Sequence, residues 1–410
     1  MRFRSGTRAD SSTGSLLMPP HIPTHDLWWL AAGGAGYGAR LVKQRFRFGQ
    51  AAPWIDEDPT EYLLDLQTQY GYNAHSLVSI APGAGAWSSG NFDGAVIYSR
   101  FGHVWLAAGD PLTDNENLDE IANQFAEAAR EKNRIAAFVP TTARFAQAVA
   151  NSGFSAVKVG AAPYFDLTVW APRGDKAKKM RAGVNQARRS GVSVETWDTF
   201  DNSLRKETTD LCLRWLGTRR AATSFGWLLA LDPFLHAERK KYYGARDCSG
   251  RLVGLVAASP MPARSCWYLE DVLRQPDAPQ GTADLLVFEA LNRMASDGVK
   301  LATLGTAPLA KEGENVVPTG DHRVVEGALR IAATRLEAFY NFEGLRRFKS
   351  KFVPSWWESE YVVGQRGVMV PPRVAHAVLR AIAPGGVTQL LTRKVAHTLK
   401  PIVPTRLSLW

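Results

Sequence analysis

The stretch WYLEDVLRQPDAPQGTADLLVFEAL, Trp267–Leu291, starts as a strand and finishes as a helix. Its first residues are β-prone and end in two adjacent acids, Glu270 and Asp271, with Arg274 three positions on. A loop rich in turn formers follows, then TADLLVFEALNRMASDG, whose apolar residues recur at helical spacing. Strand, loop and helix in this order make the unit from which α/β layers are built. Working outward, RLVGLVAASPM (251–261) reads as the preceding strand and KLATLGTAPL (300–309) as the next one, with a helix from about Leu204 to Arg220 upstream.

The same plan occurs earlier in the chain. GAVIYSR and HVWLAAGDPL read as neighbouring strands, NLDEIANQFAEAAREKN as an amphipathic helix and RIAAFVP as a strand. The helix ARFAQAVANSG then leads into the strand SAVKVGAAPYFDL. Two units of one plan point to an internal duplication. A chain of 410 residues is also longer than one ordinary domain.

Between the units lies RGDKAKKMRAGVNQARRSG, with seven Lys or Arg against one Asp. Helical spacing places Lys178, Arg181 and Asn185 near one face, with Arg188 a further turn along and Lys179 beside them. A run of one sign joining two domains fits a phosphate-rich ligand better than a plain solvated linker. The formal charge of +10 points the same way, to nucleic acid or an anionic membrane surface. Three dispersed cysteines without a CxxC pair speak against a disulfide framework and a zinc site and suit a reducing cytoplasm. His103, His236 and His322 lack ligand spacing, so neither a metal nor a cofactor is expected.

Residues 361–410 contain no Asp or Glu and seven Lys or Arg. PPRVAHAVLRAI and VTQLLTRKVAHTL read as short amphipathic helices, suited either to an anionic lipid surface or to packing on the domain. The apolar stretch Leu27–Ala39 is too short to span a bilayer, and the N-terminus lacks the pattern of a signal peptide.

Several stretches carry a family resemblance: AAGDPL, GFSAVKVG, KAKKMRAGVNQARRSG, the opening strand–loop–helix, LATLGTAPLA and FYNFEGLRRFKSKFVPSWWESEYVV. Over about residues 60–365 and in the same order, the chain resembles the C-terminal domain of the lysyl-phosphatidylglycerol synthase family, also called multiple peptide resistance factors. The resemblance implies a mixed α/β (α+β) fold of two tandem acetyltransferase-like (GNAT) domains joined by a basic helix. The expected organisation is a tail at 1–55, a first domain at 56–172, the basic helix at 173–191, a catalytic domain at 192–364 and a basic amphipathic tail at 365–410.

The resemblance further implies transfer of an amino acid from aminoacyl-tRNA to a lipid hydroxyl, first of all that of phosphatidylglycerol. The partners would be aminoacyl-tRNA and an anionic phospholipid, met at the inner face of the membrane by a cytoplasmic, peripheral protein. Such transfer requires the hydroxyl to lose its proton, the ester carbonyl to be polarised, the ammonium to be held and the phosphates to be neutralised. Asp271 and Arg274 match the family's acidic and basic site residues. Strict strand alternation places Glu270 with Arg274 and Asp271 opposite, unless a bulge intervenes, so Glu270 is kept as a second candidate. Lys349 and Lys351 fall where relatives keep lysines, for the tRNA end or the lipid phosphate, and Tyr242 is a candidate for the pocket wall.

Two other readings stay open: an acyl-CoA-dependent N-acetyltransferase, and a non-catalytic RNA- or membrane-binding protein. The loop QPDAPQGTAD weakens the first, because Pro276 and Pro279 remove amide donors and Asp277 repels a pyrophosphate.

Overall fold

The computed structural model describes residues 58–217, 231–316, 341–366 and 371–382. The expected N-terminal tail, the end of the helix expected to reach Arg220, His322 and the second amphipathic segment of the C-terminal tail lie outside these residues.

Along the chain run α1 (Thr60–Tyr70), β1 (Gly85–Ser88), β2 (Gly94–Phe101), β3 (Val104–Ala108), β4 (Leu112–Thr113), α2 (Leu118–Glu131), β5 (Ile135–Thr142), α3 (Ala143–Ala148) and β6 (Phe154–Asp166). Then follow α4 (Lys178–Arg189), β7 (Ser193–Trp197), α5 (Asn202–Gly217), β8 (Lys241–Arg246), β9 (Leu252–Met261), β10 (Cys266–Arg274), α6 (Thr282–Ser296), β11 (Leu301–Thr303) and β12 (Ala307–Pro308). The described elements close with α7 (Phe342–Ser350), β13 (Trp356–Gln365) and α8 (Pro371–Ile382).

One sheet runs through the molecule in the order β1-β2-β3-β5-β13-β6-β11-β10-β9-β8-β7. Its two parallel pairs, β3 with β5 and β10 with β11, are each connected through one helix, α2 and α6. The order is nearly palindromic about the centre, as a duplication requires. The last strands are exchanged. β6 follows the first unit yet pairs with β11 of the second, and β13 follows the second yet pairs with β5 of the first. β6 and β13 in turn pair with each other from Phe154 to Tyr164. The mixed α/β class and the repeated plan are as expected.

Helices cover both faces. In the second half α4 and α6 bury Met180, Val184, Leu286 and Leu291 on one side, and α5 buries Leu211 and Cys212 on the other. In the first half α2 and α3 seal one face through Ile121, Phe125 and Phe145. On the opposite face α8 places Val374, Ala377 and Ala381 against Val104, Leu106 and Val362. The first part of the C-terminal tail is therefore packed structure. Among the described residues no helix is long and apolar enough to cross a membrane.

The strand expected over 300–309 is interrupted. β11 ends at Thr303 and β12 resumes at Ala307. Between them Gly305 takes a positive φ of 67°, and a Cβ there would lie 2.3 Å from the Tyr268 ring. The carbonyls of Gly305 and Thr306, freed from the ladder, accept hydrogen bonds from Lys349 Nζ at 2.8 and 2.6 Å.

Candidate active site

β10 is the strand on which the site is built. It pairs with β11 only from Cys266 to Tyr268, then the two part. Beyond that point β10 keeps its antiparallel partner β9, with one irregularity: Leu269 faces Ala258 and Asp271 faces Ala257, leaving Glu270 as the extra residue of a β-bulge. The bulge changes which side chains share a face. Leu269 packs beneath α6, while Leu273 belongs to the cluster beneath α5 with Tyr242 and Leu255. Asp271, two residues before Leu273, lies on the α5 side. So does Glu270, whose carboxylate meets Lys240 and Ser259 there.

Alternation past Leu273 carries Arg274 to the other side. Its cross-strand partner Gly254 faces Thr282 and Leu286 of α6, and the Arg274 side chain is exposed. The bulge thus unites Glu270 with Asp271 and separates both from Arg274.

Glu270 forms an ion pair with Lys240, and the two side chains are 6% and 1% exposed. Lys240 has the same strand parity as Tyr242 and so points to the same face. Its Nζ also donates to the Asp232 carbonyl at 3.4 Å. Burial, the Glu270 carboxylate beside it and Asp232 nearby together hold the Asp271 carboxyl well above its ordinary range, with Lys240 opposing them in part. Burial likewise raises Asp232. Among the described residues, Glu270, Asp271 and Asp232 thus cluster about the Lys240 ammonium, acids outnumbering bases. Tyr242 forms the floor. It is 1% exposed, its hydroxyl donates to the Pro233 carbonyl at 2.6 Å, and its ring meets Phe200 edge-on at 4.5 Å.

The pocket lies next to the gap between β10 and β11. Lys349 reaches this gap from α7, whose Phe348 packs in the core beneath α6 together with Phe352 just beyond the helix. Its ammonium is felt by His75 on the opposite face of the sheet. Burial lowers Lys349 to about 7, with Glu360 opposing, and burial raises Glu360 to about 7. Burial, reinforced by Lys349, lowers His75 to about 4. Segment 72–80 of the first half covers the gap: His75 lies 6.2 Å from Tyr268 ring to ring, and the Ile80 carbonyl meets His236 Nε2 at 2.6 Å. Both halves are needed to enclose the site.

The remaining basic candidates stand on the α6 side. Lys351 pairs with Asp284 in the first turn of α6 and lies 4.6 Å from the Phe348 ring. Arg188 pairs with Glu289 at 2.6 Å, and Arg181 donates to the Gly174 carbonyl at 2.8 Å. Lys178 and Lys179 are exposed. Met180, Val184 and Ala187 seat α4 on the core, so the basic run is one face of a docked helix.

The start of α6 is crowded. Gly281 has φ 86°, and a Cβ on it would lie 2.0 Å from the Gly183 carbonyl oxygen of α4. Gln186 donates to Gln280 at 3.0 Å beside this crossing. α4 thereby crowds the helix start at which a pyrophosphate would be cradled.

Residues 66–364 match the family profile described as phosphatidylglycerol lysyltransferase, C-terminal. The chain belongs to this family. It is 21% identical over 300 residues to the phosphatidylglycerol lysyltransferase of Bacillus subtilis (strain 168), covering 73% of this chain and 34% of that one. The Staphylococcus aureus (strain N315) lysyltransferase is 22% identical over 294 residues, covering 71% and 34%. The chain thus spans about a third of the length of the curated relatives it matches.

Among solved structures, L-PGS from Bacillus licheniformis superposes with TM-score 0.66 at 20% identity, covering 81% of this chain and 99% of that one. The C-terminal domain of an Agrobacterium fabrum protein described as a lysylphosphatidylglycerol synthetase gives TM-score 0.66 at 23% identity, covering 80% and 98%. The fold is that of these domains.

Sequence reading missed Lys240, Asp232, Ser259 and Glu360. One signal for Lys240 was available: in KKYYGAR, alternation from an inward Tyr242 also turns Lys240 inward, and a buried lysine needs acids around it.

Proposed function

We propose that this protein transfers an aminoacyl group from aminoacyl-tRNA to a hydroxyl of a membrane lipid head group, phosphatidylglycerol being the first candidate. The observation that carries the proposal is the cluster of Asp232, Glu270 and Asp271 about Lys240, on the strand that parts from β11 beyond Tyr268. Among the described residues this cluster holds more acids than bases, which suits the ammonium of an aminoacyl ester. An acetyl group has no charge to place there.

The crowded start of α6 supports the same choice, since an acyl-CoA donor requires the amides of that helix start. The names of the curated relatives agree with a lipid acceptor.

In the proposed reaction the lipid hydroxyl oxygen attacks the ester carbonyl. A new C–O bond forms, the bond to the tRNA ribose breaks, and the proton of the lipid hydroxyl ends on the ribose oxygen. Lys349 is the group best placed to carry that proton. As a neutral amine it still donates two hydrogen bonds, to Gly305 and Thr306, and keeps a lone pair, and an amine near 7 is poised for general base work. Arg274 and the exposed lysines of α4 would neutralise phosphates from the α6 side. The protein would work at the inner membrane surface, held there by cationic segments.

The test is transfer of a labelled amino acid from charged tRNA to vesicles containing phosphatidylglycerol. Label in the lipid, abolished by RNase, is expected. Acetyl transfer from acetyl-CoA that ignores RNase would overturn the proposal.

A further inference from the structure

Three aromatic rings and two guanidinium groups form a column on the face of the sheet that carries the acid cluster. The Arg144 guanidinium lies 3.9 Å from the Tyr72 ring centroid, and that of Arg264 lies 4.6 Å from Tyr72 and 4.3 Å from Tyr164. Tyr164 then stacks on Trp356, centroids 5.8 Å apart and planes within 8°. The column is half-buried at Arg144, Tyr72 and Arg264, buried at Tyr164 and open at its end, where Trp356 is 39% exposed.

The indole is held in its plane. Its Nε1 donates to Glu358 at 3.0 Å, and Arg264 grips the same carboxylate with both terminal nitrogens while also donating to the Tyr164 hydroxyl at 2.8 Å. An exposed tryptophan fixed in this way loses little freedom when another ring stacks on it.

Its position relates it to the chemistry. Trp356 is the cross-strand partner of Tyr164, Tyr164 of Thr303, Thr303 of Tyr268, and Tyr268 of Ser259, which hydrogen-bonds Glu270. At ~4.8 Å per strand the indole stands about 15 Å from Tyr268 along one straight row.

We propose that Trp356 is a stacking platform for a base of the donor RNA's single-stranded 3′ tail, one or two nucleotides inside the terminal one. The inference rests on the aminoacyl-tRNA reading and adds the residue that registers the tail. Every base offers a π-face, so an aromatic platform positions a strand without reading its sequence, and single-stranded ends are where proteins stack bases. With one inner base clamped at the end of the column, the terminal aminoacyl ester would fall towards Tyr268 and Glu270.

The experiment is a coupling cycle on the full chain. An uncharged minihelix with the tRNA 3′ tail is prepared in versions lacking the base at each tail position in turn, and binding is measured for the wild type, Trp356→Ala and Trp356→Phe. Loss of one inner base should weaken wild-type binding about 10-fold, and the same loss should cost Trp356→Ala nothing. Trp356→Phe should behave nearly as wild type. Additive effects at every position would overturn the stacking role while RNase-sensitive transfer still upheld the donor. No binding of any minihelix, with no RNase-sensitive transfer, would remove both.

Discussion

Glu270 and Asp271 are consecutive in β10 and nevertheless face the same side of the sheet, towards Lys240 and Tyr242. The bulge makes them a pair, but they stand in different relations to their surroundings. Glu270 is bound to Lys240 and Ser259, whereas Asp271 is a carboxyl whose charge is opposed by burial and by its neighbour.

Glu270→Gln should therefore destabilise the protein by about 3–5 kcal/mol, because it leaves the Lys240 ammonium buried without its partner. Asp271→Asn should cost less than about 1 kcal/mol, since it removes a charge that burial already disfavours. Urea unfolding of both variants at pH 7 measures the difference. Equal losses would mean that the acids share Lys240.

In the transfer assay Asp271→Asn should lower turnover at least about 100-fold, the scale of an electrostatic or acid–base group. Arg274→Ala should also lose transfer, through weaker and more salt-sensitive binding of the donor, with stability unchanged. A normal KM for tRNA in Arg274→Ala would contradict its place on the phosphate side.

Lys349 gives a pH signature. Its amine is held at about 7 in the folded protein against an ordinary 10.5, so the folded state binds fewer protons over that interval. Stability owed to this group is complete above about 10.5 and is lost as pH falls towards 7. Between pH 10 and 8 wild type should lose about 1 kcal/mol per unit relative to Lys349→Met, the limit being ~1.4. Parallel stability curves would show that the amine is solvated.

The crossing of α4 and α6 should be intolerant of a single methyl group. Gly281→Ala adds a Cβ 2.0 Å from the Gly183 oxygen at φ 86°, and a loss of about 2–4 kcal/mol is expected. Gly298 has φ 80° with open space around its Cβ, so Gly298→Ala should cost only about 1 kcal/mol. Thermal unfolding distinguishes the two.

Because α8 is packed on β3, β5 and β13, the membrane question concerns the basic residues after it. A chain ending at Ile382 should keep its unfolding midpoint and lose salt-sensitive sedimentation with anionic vesicles. A chain ending at Arg366 should be less stable, since Val104, Leu106 and Val362 lose their cover. If the chain ending at Ile382 still pellets with vesicles, the final residues are not the anchor.

Much of this fold is written locally. The apolar spacing of Leu118, Ile121, Ala122 and Phe125 fixes α2 on the sheet, and α6 starts at Thr282, where the helical pattern of TADLLVFEAL begins. The bulge was foreseeable from Glu270 and Asp271, because two adjacent charged residues in a buried strand conflict with alternation. What stayed hidden is non-local. Nothing in LATLGTAPL signals that Lys349, 44 residues from Gly305, will draw its carbonyl out of the ladder. Lys240 and Glu270 are 30 residues apart, and their pairing follows from strand register, which the pattern of single residues does not specify. Arg274 matched a family position, but its face depended on that same bulge.

The exchange of β6 and β13 has a consequence for biosynthesis. Thr141 hydrogen-bonds the Tyr361 carbonyl across 220 residues of chain, so the first unit leaves the ribosome with the edge of β5 unfilled. Long-range pairing of this kind is slow, and an unfilled edge invites wrong partners. The nascent first unit must wait through the whole synthesis of the second for the strand that completes it. Segment 72–80, which roofs the gap, likewise waits for β10 and β11. A prematurely terminated chain is therefore an incomplete sheet, and the arrival of Trp356–Gln365 between β5 and β6 is the late event that completes it.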